Sequence, residues 1–319
     1  MRADDLLERL HVVALPMRVR FRGITVREVA LIDGPSGWGE FGAFLEYPPA
    51  QAAPWLAAAI ESAYGTKPSL RRDSIRINAT VPAVPAGQVP EVLARFPGAT
   101  TAKVKVAESG QTLADDVARV NAVRALIPVV RVDANGAWSV EQAVAAAAAL
   151  CTDGPLEYLE QPCATVAELA QLRLRITVPV AADESIRKAA DPLAVVRAGA
   201  ADIAVLKVAP LGGVRALLDI AAAIDIPVVI SSALDSAVGI AAGLTAASAL
   251  PRLEYACGLG TGGLFIDDDV ADLVPVDGCL PVGDVVPDPA RLTTLAAPAP
   301  RRDWWIDRIK ACQALLLHS

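Results

Sequence analysis

The chain has 319 residues, more than the roughly 100–200 of one ordinary domain, so it is long enough for one large barrel or for two domains that share a core. It is 54% hydrophobic and 20% charged, and no apolar run reaches the roughly 18 residues of a membrane span, which argues for a globular protein. Lys and Arg number 29 against 36 Asp and Glu, a net charge of −7 with no basic stripe, which argues against a nucleic-acid partner.

The first residues, Met1-Arg2-Ala3-Asp4-Asp5, are acidic where a secretory signal has a basic patch and then an apolar stretch, so a cytoplasmic location is expected. Residues 24–33 read as a strand closed by the turn Gly34-Pro35-Ser36-Gly37, and 48–64 as a helix that opens on Pro48 and Pro49 and stops at Gly65. Arg18, Phe21 and Arg22 fall in a loop before that strand and Phe41 to Tyr47 in a second; either loop covers a site mouth or is simply solvated. From about residue 75, short β-branched runs alternate with Ala-rich helical runs, the pattern of a parallel sheet built from βα units. Eight strands are predicted, at 75–81, 101–106, 128–133, 156–160, 179–183, 202–207, 227–231 and 253–257. Eight such repeats, with no G-x-G-x-x-G after the first, point to a closed (β/α)8 barrel rather than an open doubly wound sheet. After about residue 270, Pro-rich loops lead to a helix around Trp304–Ile309 that should pack back on the first block. The predicted fold is α/β: a TIM barrel over 75–270, with an α+β capping unit over 1–74 and a C-terminal segment, 271–319, packed against it.

Only two histidines are present, His11 and His318, near the chain ends and outside any motif, which disfavours Ser-His-Asp triads, Cys-His pairs and His-rich zinc sites. The five cysteines, Cys151, Cys163, Cys257, Cys279 and Cys312, form no C-x-x-C pair and read as reduced, mostly buried thiols. Catalysis by this chain must therefore use carboxylates, lysines or a metal.

In a barrel the working residues sit at the carboxyl ends of the strands. Here those ends carry Lys103, Lys105, Asp133, Glu160, Asp183 and Lys207. The gaps of 28, 27, 23 and 24 residues from Lys105 to Lys207 each match about one βα repeat, so all should face one mouth. Three bare acids in one mouth repel by several kcal/mol at an effective dielectric near 20. A divalent cation resolves that repulsion. Oxygen-only ligation selects a hard ion, Mg²⁺ with Mn²⁺ as a stand-in, held by Asp133, Glu160 and Asp183; the alternative for each acid is a helix cap. In Thr101–Lys105, strand alternation turns Lys103 and Lys105 to the same face, towards the barrel axis. Their mutual repulsion and the metal would lower an ammonium pKa towards the range of a general base. Lys207 approaches from across the barrel, unless it is simply solvated. Lysines around a carboxylate held by a metal suit removal of a proton α to that carboxylate, so a small-molecule carboxylate is the expected partner. Gly258-Leu259-Gly260-Thr261-Gly262-Gly263 would cradle a phosphate, offer amides to a carboxylate or only turn the chain. Ser231-Ser232 would bond substrate or cap the next helix.

These residues resemble the enolase superfamily in its muconate-lactonising subgroup. Lys103-Val104-Lys105 looks like the subgroup's K-x-K, and Lys207 matches its sixth-strand lysine. Val132-Asp133-Ala134-Asn135-Gly136-Ala137-Trp138, Leu159-Glu160-Gln161-Pro162 and Ala182-Asp183-Glu184-Ser185 look like its three metal-ligand motifs. The resemblance spans essentially the whole chain. It implies a modified barrel whose α+β capping domain is formed by the N-terminus, including Gly37-Trp38-Gly39-Glu40-Phe41, together with the C-terminal tail. Within the subgroup, the short chain, the segment Arg22–Glu28, Arg131 two residues before Asp133 and the Ser231-Ser232 pair look most like one branch. That branch dehydrates 2-succinyl-6-hydroxy-2,4-cyclohexadiene-1-carboxylate to o-succinylbenzoate in menaquinone biosynthesis. By that resemblance, Lys105 takes the α-proton and then helps the hydroxide leave, Lys207 stabilises the enediolate from the other face, and Lys103 bonds the substrate carboxylate. Ser232 and backbone amides near Gly258 and Gly260 would receive the succinyl end, with Ser231, Arg22 and Arg131 as further substrate contacts. The seventh-strand His of mandelate-racemase-like members and the eighth-strand D-x-D of dipeptide epimerases are both missing. Racemisation of N-succinylamino acids and a muconate-type cycloisomerisation remain alternatives on the same site, and a non-catalytic barrel that binds a small acid is the alternative from another class.

Overall fold

The computed structural model of the chain describes residues 3–21, 23–188, 191–266 and 270–317. Three antiparallel strands, Leu10–Phe21, Ile24–Gly34 and Gly37–Phe41, pair in that order. The first of them corrects the loop expected at Arg18–Phe21: Val13, Leu15 and Met17 point inwards in alternation, but Pro16 and the register shift after it mask the period in the sequence. Helix Pro49–Tyr64 lies on this sheet so closely that a Cβ at Gly39 would stand 2.0 Å from the Ala59 carbonyl oxygen, which only glycine permits. The last helix, Ala299–Leu316, packs here too. Its Trp305, Ile309 and Cys312 share one apolar cluster with Trp55, Leu56 and Phe41, and Trp305 meets Phe41 edge-on at 5.4 Å.

That junction holds a half-shielded ion pair. Trp305 Nε1 donates to Glu28 Oε2 at 3.0 Å, and Arg301 Nη2 donates to the same oxygen at 2.7 Å. Burial opposes ionisation of Glu28, but the hydrogen bonds from Arg301 and Trp305 outweigh it and hold the carboxyl below its ordinary value. A depressed folded-state pKa contributes stability above the unfolded value, which is lost as pH falls through the folded one. Glu28→Gln is therefore expected to cost about 1 kcal/mol at neutral pH and nearly nothing once glutamate is protonated, as read from urea unfolding at several pH values. An equal loss at acid and neutral pH would show that packing, not charge, holds the tail.

Seven parallel strands follow, neighbouring one another in chain order: Ala79–Val81, Thr101–Lys105, Val129–Asp133, Leu159–Glu160, Val180–Ala182, Ile203–Leu206 and Val228–Ile230. The expected first strand, 75–81, is divided. Ser74–Arg76 pairs antiparallel with Cys279–Pro281, and only Ala79–Val81 enters the parallel sheet. The expected eighth strand, 253–257, is also absent as a strand. Cys257 bridges Ile77 on one side and Gly258 bridges Ser231 on the other. The bonds Asn78 N–H to Cys257 O (2.9 Å) and Gly258 N–H to Ile230 O (2.8 Å) thus close the ring with one residue per side, too few to make a ladder.

Strand alternation sorts the side chains into two sets. Val104, Val130, Val132, Leu159, Val180, Ala182, Ala204, Leu206 and Ile230 face the surrounding helices. Tyr158, Ala181, Ile203, Val205 and Val229 face inwards and, with Tyr255, form the barrel's apolar floor. The next inward positions along the strands are Lys105, Asp133, Glu160, Asp183, Lys207 and Ser231.

Candidate active site

The helices that follow the acidic strand ends are capped by other residues. Ser139 caps Val140–Leu150 and Thr165 caps Val166–Arg173, each in a capping box, while Asp183 stands before Glu184–Arg187 without a side-chain cap bond. Ser236, not Ser231 or Ser232, caps Ala237–Ala249. Asp133, Glu160 and Asp183 are at most 1% exposed, and Lys103, Lys105 and Lys207 at most 9%, so none is a solvated surface charge. Six buried charges facing one interior need a use or a mutual arrangement.

They have the arrangement. Lys103 Nζ donates to Glu160 Oε1 at 2.8 Å and to Asp133 Oδ2 at 3.1 Å. Lys105 Nζ donates to Asp133 Oδ2 at 2.5 Å and to Asn135 Oδ1 at 2.7 Å. From the other side, Lys207 Nζ donates to Asp183 Oδ2 at 2.6 Å, and Arg187 Nε donates to Asp183 Oδ1 at 2.9 Å. Burial opposes ionisation of Asp133, but Lys105 and Lys103 outweigh it and hold its carboxyl well below the usual range. Burial opposes Asp183 as well, and Lys207 and Arg187 pull it down. Glu160 moves the other way, pushed up to about 7 by burial and by the Asp133 charge. The two lysines of one strand also part company. Burial works against the Lys103 charge but Glu160 and Asp133 raise its pKa, whereas burial, helped by the Lys103 charge, brings Lys105 down despite Asp133.

Above these groups is a narrow cavity. Lys103, Lys105, Asp133 and Lys207 reach it from the barrel, Ser231, Ser232, Leu234, Gly258 and Thr261 from the loops, and Phe21 and Phe44 from the antiparallel unit. Ser232 Oγ donates to Gly258 O at 2.9 Å and lies 2.9 Å from Thr261 Oγ1. Both expected loops thus contribute, Phe21 from the end of its strand and Phe44 from 41–47. Two expected contacts are not brought here. Arg131 is fully buried below the mouth, stacked 4.6 Å from the Tyr158 ring centroid, with Nη1 donating to Tyr158 Oη and Ala256 O, each at 2.9 Å. Gly260 lines a separate cavity with Arg18 and Arg95. Arg22 lies outside the described residues, as does His318.

Sequence reasoning missed the residues that hold the acids. Asn135 N–H donates to Asp133 Oδ1 at 3.0 Å, and Gln161 Oε1 accepts from the amides of Asp183 (3.0 Å) and Ser185 (3.1 Å). Both have left-handed backbones, φ 48° and 39°. The available signals were Asn135-Gly136, two residues after Asp133, and Gln161-Pro162, directly after Glu160.

Among the described residues no three His, Cys, Asp or Glu side chains already converge as an ion cage, because each carboxylate turns to a lysine or arginine. The donor set nevertheless fits a hard divalent cation. All its ligands are oxygens, Asp133 and Glu160 are directly paired across adjacent strands, and Glu160 Oε2 is buried without a hydrogen-bond partner among the described residues.

Residues 12–63 match the family described as enolase N-terminal domain-like, and residues 89–287 match enolase C-terminal domain-like. The o-succinylbenzoate synthase of Mycobacterium marinum is 78% identical over 312 residues, 98% of this chain and 95% of that protein. The chain belongs to the o-succinylbenzoate synthase family of the enolase superfamily. The o-succinylbenzoate synthase of Mycolicibacterium smegmatis is 75% identical over 313 residues, 98% of each chain. Among solved structures, the muconate lactonizing enzyme from Pseudomonas fluorescens complexed with muconolactone superposes with a TM-score of 0.76 at 23% identity, over 91% of this chain and 98% of that one. That likeness concerns the fold, a modified TIM barrel with an N-terminal cap. The chain is an enzyme of a hydro-lyase family, and enolase-superfamily enzymes generally use Mg²⁺. No helix among the described residues is long and apolar enough to cross a membrane.

Proposed function

We propose that this enzyme converts 2-succinyl-6-hydroxy-2,4-cyclohexadiene-1-carboxylate to o-succinylbenzoate and water, a step of menaquinone biosynthesis. The observation that carries the reading is that Lys105 and Lys207, from strands on different sides of the barrel, line one buried cavity beside Asp133. Lys105 removes the proton on the carbon that bears the ring carboxylate. The electron pair of that C–H bond moves into the carboxylate as an enediolate, then returns to form the ring double bond as the neighbouring hydroxide leaves. Lys105, now an ammonium, hands the proton to that hydroxide, so one water is lost and the ring becomes aromatic. Lys207 remains an ammonium and offsets the growing negative charge from the opposite face, while Lys103 holds the substrate carboxylate. Ser231, Ser232 and the backbone around Gly258 receive the succinyl end; Arg131 acts from the barrel interior rather than on the substrate. Asp133, Glu160 and Asp183 would hold Mg²⁺, with Mn²⁺ as a substitute. When bound, the ion supplies positive charge that stabilises the developing dianion. The reading includes a division into cap and barrel near residues 74 and 270, a cytoplasmic location and a small carboxylate as the partner.

The test is an absorbance assay of the purified protein with the cyclohexadiene substrate and Mg²⁺, beside an EDTA control. Rapid, metal-dependent loss of the diene absorbance is expected. Opposed lysines also suit racemisation, so deuterium exchange into N-succinylamino acids without diene loss would replace the substrate while keeping the chemistry. Inactivity on both would overturn the reading.

A further inference from the structure

The cavity's apolar side is built from two segments far apart in sequence, and one buried cation holds both. Arg27, in the strand Ile24–Gly34, is 2% exposed. Its Nε donates to Leu234 O at 3.0 Å, its Nη2 donates to Gly42 O, and its guanidinium lies 4.8 Å from the Phe44 ring centroid. Leu234 and Phe44 both line the cavity. Leu234 also has a left-handed backbone, φ 64°, a conformation that a bulky residue keeps only when its surroundings impose it.

The ring of contacts continues. Ala233 N–H donates to Asp235 Oδ2 at 3.2 Å inside the same loop. Glu40 Oε2, from the next strand of the cap, accepts from Ser236 N–H at 2.9 Å and Gly239 N–H at 3.3 Å, so it receives the first turn of Ala237–Ala249. A Cβ at Gly42 would stand 2.8 Å from both Arg27 Nη2 and Glu40 Oε1, so both charged groups lie beside Gly42. Cap and seventh-strand loop are thus joined by two oppositely charged, buried side chains directly behind the substrate-facing wall.

We propose that Arg27 is a positioning residue that sets the distance between Phe44 of the cap and Leu234 of the barrel, and so the fit of the substrate's carbon skeleton. Its contacts named above are with the backbone of the wall and the Phe44 ring. The inference rests on the function proposed above only in naming the substrate. A lysine at this position keeps the charge beside Glu40 but cannot fork to two carbonyls.

Arg27→Lys is expected to raise KM about tenfold or more while kcat stays within about threefold, because a displaced wall weakens binding without touching proton transfer. Amide exchange should quicken together at 42–45 and 232–236. A fall in kcat at unchanged KM, or unchanged exchange in either segment, would overturn the proposal. If Arg27→Lys does not fold, Leu234→Gly replaces it, since glycine adopts φ 64° freely and only the wall side chain is lost. The same rise in KM is then expected, and an unchanged KM would again overturn the proposal. If the wild-type protein does not turn over the diene, the functional reading fails while amide exchange still decides whether Arg27 holds the two segments.

Discussion

Lys105→Ala should lose at least the roughly 10²–10⁴-fold in kcat typical of general acid–base catalysis, and the upper end is expected because one amine serves both proton transfers. The fold should survive. Asp133 keeps Lys103 at 3.1 Å and the Asn135 amide at 3.0 Å, so no carboxylate is left bare. Removing the ammonium also relieves its repulsion with Lys103 two residues away. Circular dichroism and a thermal melt establish that the variant is folded, and the diene assay measures its turnover. Near-normal turnover in folded Lys105→Ala would exclude this lysine as the base. It would leave Lys207, on the other face, as the next group to test.

Exhaustive chelation is expected to be as severe: loss of several kcal/mol of charge stabilisation, about 10³-fold in rate or more, restored by Mg²⁺ and in part by Mn²⁺. The protein should nevertheless stay folded. Four carboxylates, Asp133, Glu160, Asp183 and Glu184, are faced by four cations, Lys103, Lys105, Lys207 and Arg187, so the interior is close to neutral by itself. A divalent cation adds two positive charges and the substrate, a dicarboxylate, two negative ones. Neutrality is then regained only with both present, so each should tighten the other's binding by the same factor. Calorimetric titration of Mg²⁺ with and without o-succinylbenzoate measures that linkage. Full activity after chelation would remove Asp133, Glu160 and Asp183 as ligands.

The chemistry was legible because it follows the repeat. Lysines and acids one βα unit apart must share one end of a barrel, whatever the loops do, and Lys103 and Lys105 must share one face of their strand. Alternation gives the face but not the depth. Arg131 has the same parity as Asp133, yet its register partner is Lys103, one step further in, where Tyr158 and the Ala256 carbonyl occupy it. The eighth strand failed for a related reason. A run such as Leu253–Cys257 is apolar enough for a strand, but pairing is decided by neighbours remote in sequence, and here only Cys257 and Gly258 find them. Gly258 and Gly260 are two residues apart and face different cavities. Arg27 was invisible for the same cause, since its partner Leu234 stands 207 residues away in sequence from it.

The central claim, that a lysine removes a carbon-bound proton in this mouth, is tested most directly by single-turnover kinetics with substrate deuterated at the carbon that bears the ring carboxylate. The account predicts slower diene loss than with the protium substrate in the wild-type enzyme, an effect that product release cannot mask in a single turnover. Equal rates for the two isotopologues would contradict it.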